Sequence, residues 1–296
     1  MTGKILFDKI AESIKADHPS FSVRFKDESR LMKILGLLAY PFNDRFNDGY
    51  TTTLGTSVYF SSRKELESDY RNYARVLAHE GVHIYDDEKQ GLRFKLGYAM
   101  FEALFVPLVA LFAVLGSWIP VAAMFGGLAL SYGVLGLVRP SDKEKSQVAL
   151  KRRKAVAKAV FFGMAGLSVI GYVGLSIWLA KWMTLLAVGA FLPLIPMSSP
   201  WRAKWEYRGY AMGIAISYWK YGSASDEYLK RRVPTFTGPD YYFMDRNGDR
   251  VLSKLKAIRA SVADGSIFLG ADARPYQRTF DVLDELKLVS VRSASA

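Results

Sequence analysis

The chain has 296 residues, a formal charge of +12 and a pI near 9.6, with half its residues hydrophobic and 14% aromatic. It contains no cysteine, which excludes a disulfide framework, a thiol nucleophile and a Cys₄ zinc site. Such a basic balance points to nucleic acid or to an anionic membrane surface. The long uncharged runs described below decide for the membrane, so a lipid bilayer is expected as partner and nucleic acid is not. The length suits one large domain or two smaller ones. Asp8 and Lys9 interrupt the N-terminal apolar stretch early, so no signal peptide is expected.

Residues 4–16 have Ile5, Leu6, Ile10 and Ile14 on one side of a short amphipathic helix. Residues 21–26 alternate apolar and polar, as a half-buried strand does. Ser29 to Tyr40 reads as a second helix ended by Pro41, and the Asn-, Asp- and Gly-rich stretch 43–50 reads as a loop. Residues 51–60 are strongly β-prone, and Ser61-Ser62 then offers an N-cap for a long helix. That strand is either an edge that pairs with an extended peptide or a plain structural strand.

The helix predicted over Lys64 to about Gln90 carries His79-Glu80-Gly81-Val82-His83. One helical turn places His79 and His83 on the same face, where two imidazoles can close on one tetrahedral zinc ion. Glu80 can then reach a water beside the metal rather than the metal itself, and serve as general base. The alternative is a helix that happens to carry two histidines. Only three of the 296 residues are histidine, which makes this spacing around a glutamate a rare accident. Asp87, four residues past His83, either accepts a hydrogen bond from a ligand imidazole or belongs to a solvated acidic patch.

From Ala103 to Val138 the chain carries no charge, whereas about 20 residues cross a hydrocarbon core. A turn at Gly116–Pro120 divides it into Ala103–Trp118 and Ile119–Val138. A second apolar region covers Val160–Ala180, long enough to span, and Trp182–Ser199. The latter is shorter, carries Pro193 and Pro196, and either spans, kinks or lies within one leaflet. The loop between these regions, residues 139–158, holds Lys151-Arg152-Arg153-Lys154 and belongs on the cytoplasmic side. The alternative for each run is a buried helix of a soluble bundle.

Ala203 to Tyr221 reads as a further helix, with Gly222 near its end. Two histidines leave zinc short of donors, and Glu206 is the candidate third ligand, completing a His₂Glu set. The alternative is a surface glutamate among Lys and Arg. Tyr210, one turn on, is the candidate donor to a developing oxyanion, with Tyr207 and Arg208 as rivals. Asp245-Arg246-Asn247-Gly248-Asp249 invites comparison with an EF-hand loop. Its glycine is misplaced, Arg250 stands at position six and Lys256 at position twelve, so a turn capping a helix over Asp249 to Val262 is expected instead. Pro275 to Val289 reads as a last amphipathic helix.

His79-Glu80-Gly81-Val82-His83 on a helix, then apolar segments, then Arg202-Ala203-Lys204-Trp205-Glu206 opening another helix, resembles the plan of the HtpX and CAAX-prenyl-protease superfamily of membrane zinc peptidases. The resemblance covers roughly residues 70–215. It implies zinc held by His79, His83 and Glu206, with Glu80 as the base. The family has Asp four residues after the ligand Glu, where this chain has Tyr210. It also has spans before the motif, absent here, and one hairpin between the ligands rather than two. A weaker resemblance is to short phage-encoded membrane proteins that pair H-E-x-x-H with a later Glu-x-Arg-Gly-Tyr, matched by Glu206 to Tyr210.

The expected fold is mainly α with a small β component, a zincin-like metallopeptidase domain interrupted by transmembrane hairpins. Residues 1–100 would carry the motif helix, 101–199 the membrane region and 200–296 the third ligand and a soluble tail. The expected function is zinc-dependent hydrolysis of protein or peptide bonds by a multi-pass membrane enzyme with its catalytic part in the cytoplasm. The alternatives are a non-enzymatic membrane protein whose hairpins act structurally, with a structural or vestigial metal site, and an intramembrane protease.

Overall fold

A computed structural model describes residues 3–40, 43, 45–95, 97–98, 118–138, 147–178, 200–238 and 243–294. The chain is mostly helical with one three-stranded sheet, as its mixed periodicity predicts, and it divides into two compact units. The first comprises residues 1–30, 47–99 and 196–296, and the second residues 31–46 and 100–195.

In the first unit, helix α1 (Gly3–Asp17) buries Phe7, Ile10 and Ile14, one apolar stripe at helical spacing. Strand β1 (Ser22–Phe25) follows, and the second unit begins within helix α2 (Arg30–Ala39). The β-prone stretch 51–60 is not one strand but a hairpin, β2 (Thr52–Leu54) and β3 (Ser57–Phe60). Gly55, at φ +58°, opens the two-residue loop between them, where an L side chain would be strained. The sheet order is β1-β3-β2, with β1 parallel and β2 antiparallel to β3, so β2 is an edge.

The single helix expected from Lys64 to Gln90 is broken. Helix α3 (Arg63–Ser68), N-capped by Ser62, stops at Asp69, whose backbone leaves the helical region. The Asp69 carboxylate then accepts from the Asn72 N–H and starts helix α4 (Tyr70–Gln90). Leu77, Ala78, Val82 and Ile84 of α4 are buried against α1 and the sheet. Gly81 permits the close approach of α1, since a Cβ there would lie 2.9 Å from Ile14 Cδ1.

After Pro200 the chain forms α7 (Pro200–Tyr221), ended by Gly222 at φ +70°, as predicted. Two short helices, α8 (Asp226–Lys230) and α9 (Val233–Thr237), lead to α10 (Gly248–Ala263) and α11 (Arg274–Ala294). The pseudo-EF-hand is a helix start: Asn247 caps α10, and Asp245 accepts from the Arg250 guanidinium. Asp17 holds α11 to α1 by pairing with Arg274 and the buried Arg278.

In the second unit, α5 (Trp118–Val138) packs along α6 (Gln147–Trp178) through Leu135, Ala157, Phe161 and Tyr132. Helix α6 begins well before Val160. The Lys151–Lys154 cluster therefore sits in a helix rather than in the expected loop, because residues 147–162 contain no Gly or Pro and many strong helix formers. Both helices are long and apolar enough to span a membrane, and only 22% and 17% of the residues in their most apolar stretches are buried. The expected span Ala103–Trp118 and the apolar run Trp182–Ser199 lie outside the described residues, apart from Trp118.

Candidate metal centre

Helices α4 and α7 pack against each other and supply the site. His79 and His83 project from one face of α4, their Nε2 atoms 3.0 Å apart. Glu206 comes from α7, its carboxylate oxygens 3.5 Å from His79 Nε2 and 3.8 Å from His83 Nε2. One donor atom from each residue lies within 4.8 Å of the others. Donors at about 2.0–2.1 Å from one tetrahedral ion lie about 3.3 Å apart, so these spacings fit. Two imidazoles and a carboxylate are also the donor set of a hydrolytic zinc site with one position left for a water or substrate.

Charge within the cluster follows from burial and pairing. Burial works against a charged His79, but Glu206 beside it outweighs that and raises the imidazole above its ordinary value. His83, buried and next to His79, is held neutral, its value driven down to about 3. Burial pushes Glu206 up, yet the hydrogen bond with His79 and the nearby imidazoles bring it down to about 2. Glu206 is therefore ionised and His83 neutral, the states a metal ligand needs.

The residues around the donors fix their orientation. The Tyr98 hydroxyl donates to Glu206 Oε1, and its ring meets His83 edge-on at 5.6 Å. Tyr210 meets the His79 ring edge-on at 5.1 Å. Gly209 makes room for that ring, because a Cβ there would lie 2.5 Å from His79 Nε2. Arg208 donates from Nε to both oxygens of the buried Asp86, tying α7 to α4 one turn past His83. Glu206, Arg208, Gly209 and Tyr210 thus each have a separate task.

Glu80 is not among the donors. Its Oε2 accepts from Thr53 Oγ1 at 2.6 Å, and burial raises its carboxyl above the ordinary range, only partly countered by His79, Thr53 and Lys26. Lys26 is itself buried, which lowers its ammonium to about 8 despite the facing Glu80 and Asp48. Glu80, His79 and Tyr210 line one cavity of about 260 Å³, together with Thr51, Arg75, Tyr228 and Arg232.

Comparison with family models, with curated proteins and with solved structures finds no match for this chain.

Of the residues singled out in the sequence, His79, His83 and Glu206 come together, with Glu80 and Tyr210 beside them. Tyr207 does not reach the site: it stacks on Phe236 at 4.4 Å within a separate apolar cluster. Arg208 is committed to Asp86 and faces Asp272 as well. Asp87 does not serve the ligands. It lies 3.6 Å from Lys95, and the outer Nδ1 of His83 has no hydrogen-bond partner among the described residues. Asp86 takes the structural part instead, because one residue rotates a helical side chain by about 100°. Thr53, Tyr98, Arg75 and Arg232 carry no motif that marks them in the sequence.

Proposed function

We propose that this chain is a membrane-bound zinc metalloendopeptidase on the plan of the HtpX and CAAX-prenyl-protease superfamily, a zincin-like domain interrupted by membrane hairpins. The observation that carries the proposal is the convergence of His79, His83 and Glu206 on one point, with Glu80 buried beside it. Zinc held by those three residues supplies Lewis acidity, polarising the scissile carbonyl and lowering the pKa of a water toward about 7.

The chain's own groups supply the rest. Thr53 holds one oxygen of Glu80, leaving the other to take the proton of the attacking water and pass it to the leaving amine. Burial, which raises the Glu80 carboxyl, makes it a stronger proton acceptor than an exposed carboxylate. The Tyr210 phenol, in the cavity beside His79, is the donor placed to meet the developing oxyanion. It stands where the peptidases that the chain resembles have Asp. Thr51, on the wall of this cavity, leads into edge strand β2, which has an unpaired side among the described residues that an extended peptide can join. By the positive-inside rule, the basic cluster Lys151–Lys154 supports a cytoplasmic side for the catalytic part.

The test is metal content and hydrolysis of casein by the purified, detergent-solubilised chain. One zinc per chain is expected. Glu80→Gln should keep the metal and lose cleavage by at least about 100-fold, whereas His83→Ala should lose the metal. Cleavage at the normal rate by Glu80→Gln would refute the mechanism. Absence of bound zinc would favour a membrane protein in which the hairpins alone act.

A further inference from the structure

The cavity beside the metal donors has a composition that the hydrolytic reading does not require. Helix α4 contributes Asn72, Arg75, Val76, His79 and Glu80, one continuous face leading away from the donors toward the helix start. Opposite stand Tyr210, Tyr228 and Arg232. Among the described residues Val76 is the one aliphatic side chain on its wall, so the space offers little to a branched apolar group.

Its two arginines set its charge. The Arg232 guanidinium lies 5.9 Å from the centre of the Tyr210 ring and 5.1 Å from that of Tyr228. Its Nε is buried and has no hydrogen-bond partner among the described residues. Arg75 donates to Ser217 Oγ. Among the described residues neither arginine is ion-paired with a carboxylate. A buried guanidinium N–H left without an acceptor costs free energy that a bound anion returns. Guanidinium groups match a carboxylate in shape as well as charge. The ionisable groups facing this space are His79, Glu80, Arg75, Arg232, Tyr210 and Tyr228. Glu80 is the one acid among them and faces two guanidinium groups, so the cations prevail.

We infer that this cavity is a subsite for a substrate carboxylate next to the scissile bond, with Arg232 and Arg75 as its contacts and the Tyr228 phenol as a further donor. The inference rests on the hydrolytic reading and adds a substrate class to it: peptides with Asp or Glu beside the cleaved bond, or with a free C-terminal carboxylate at that point. An acidic side chain and a chain end offer the same group, and amidation of the C-terminus tells them apart.

The test uses the full chain in detergent. Cleavage sites in a peptide mixture, read by mass spectrometry, should be enriched in Asp or Glu at one position beside the bond. If instead the chain end is read, amidated peptides should resist cleavage. Arg232→Gln should raise KM for an acidic peptide about tenfold with a smaller change in kcat, Arg75→Gln should act in the same direction, and Arg232→Lys should recover part of the loss. Arg232→Glu should shift the preference toward Lys and Arg at the same position. Binding of glutarate to chelator-treated protein, followed by saturation-transfer NMR, reads the subsite without hydrolysis. An unchanged circular dichroism spectrum and partial recovery of binding in Arg232→Lys separate loss of the contact from misfolding. Glutarate binding lost in Arg232→Gln and kept in the surface variant Lys254→Gln is the expected result. Cleavage without acidic or chain-end preference, with glutarate binding unchanged by Arg232→Gln, overturns the subsite and leaves the peptidase standing. Arg232-dependent glutarate binding in a chain that cleaves nothing keeps the anion site and overturns the peptidase.

Discussion

The His79 imidazole holds opposed demands within one side chain. In the metal-free fold Glu206 stabilises its protonated form, raising it above the ordinary imidazole value near 6.5. That contribution to stability is complete below the ordinary value and is lost as pH rises through the raised one. A metal ion needs the neutral imidazole, so loading must expel the proton. His83 and Glu206 already have the required charge state at neutral pH, leaving His79 as the source. Zinc binding near pH 6.5 is therefore expected to release more than about half a proton from the ligands, and affinity should rise with pH, by up to about tenfold per pH unit, while that proton is being displaced. Calorimetry in buffers of different ionisation enthalpy measures the release. A value near zero at that pH would show that Glu206 does not hold His79 charged.

Between helices, the contact of α4 with α7 adds one buried ion pair and one glycine to its apolar packing. Asp86 is 2% exposed, and burial pushes its carboxyl up against the pull of Arg208. Removing one partner of such a pair leaves an uncompensated charge, at a cost of about 3–5 kcal/mol, while replacing both by apolar groups is often neutral. Arg208→Met and Asp86→Leu are each expected to lower the urea midpoint strongly and to weaken zinc binding, with the double variant recovering most of the stability. Equal losses in single and double variants would show that the pair does not join the helices. This contact also shows why some of the site was legible in the sequence and some was not. His79 and His83 lie within one turn, so spacing alone places them together, and Glu206 follows from the donor chemistry of zinc. Asp69 was hidden because apolar spacing continues through α3 and α4, although its side chain caps the second helix. Thr53 and Tyr98 meet Glu80 and Glu206 across 27 and 108 residues, and no local pattern records such contacts. The Asp86–Arg208 pair likewise joins residues 122 apart, beyond the reach of any local pattern.

Within the second unit, α5 and α6 carry their own account of the surrounding medium. Gly127 packs so closely on Ser168 that a Cβ would lie 2.3 Å from its Oγ, and Leu135 meets Ala157 and Phe161. These pairings are antiparallel, so Trp118 and Trp178 fall at one end of the hairpin and Lys151–Lys154 at the other. Both tryptophans are largely exposed, as are Leu130, Leu137, Leu167 and Ile170 on the lateral surface. In water such a surface would be an aggregation hazard; in a bilayer it is the favoured face, with aromatic rings at one interface and basic groups at the other. Helix α6 has 32 residues, on the order of 48 Å of helix, against a hydrocarbon core of about 30 Å. The surplus matches the basic turns at its start. Since the chain contains no cysteine, single reporters can be placed without background. Gln147→Cys is expected to react with an impermeant maleimide from the cytoplasmic side of sealed vesicles, and Trp178→Cys from the opposite side. The protein should also stay with the membrane through an alkaline carbonate wash. Release by carbonate, or labelling of both positions from one side, would mean that α6 does not cross the bilayer and that its apolar surface is covered by protein.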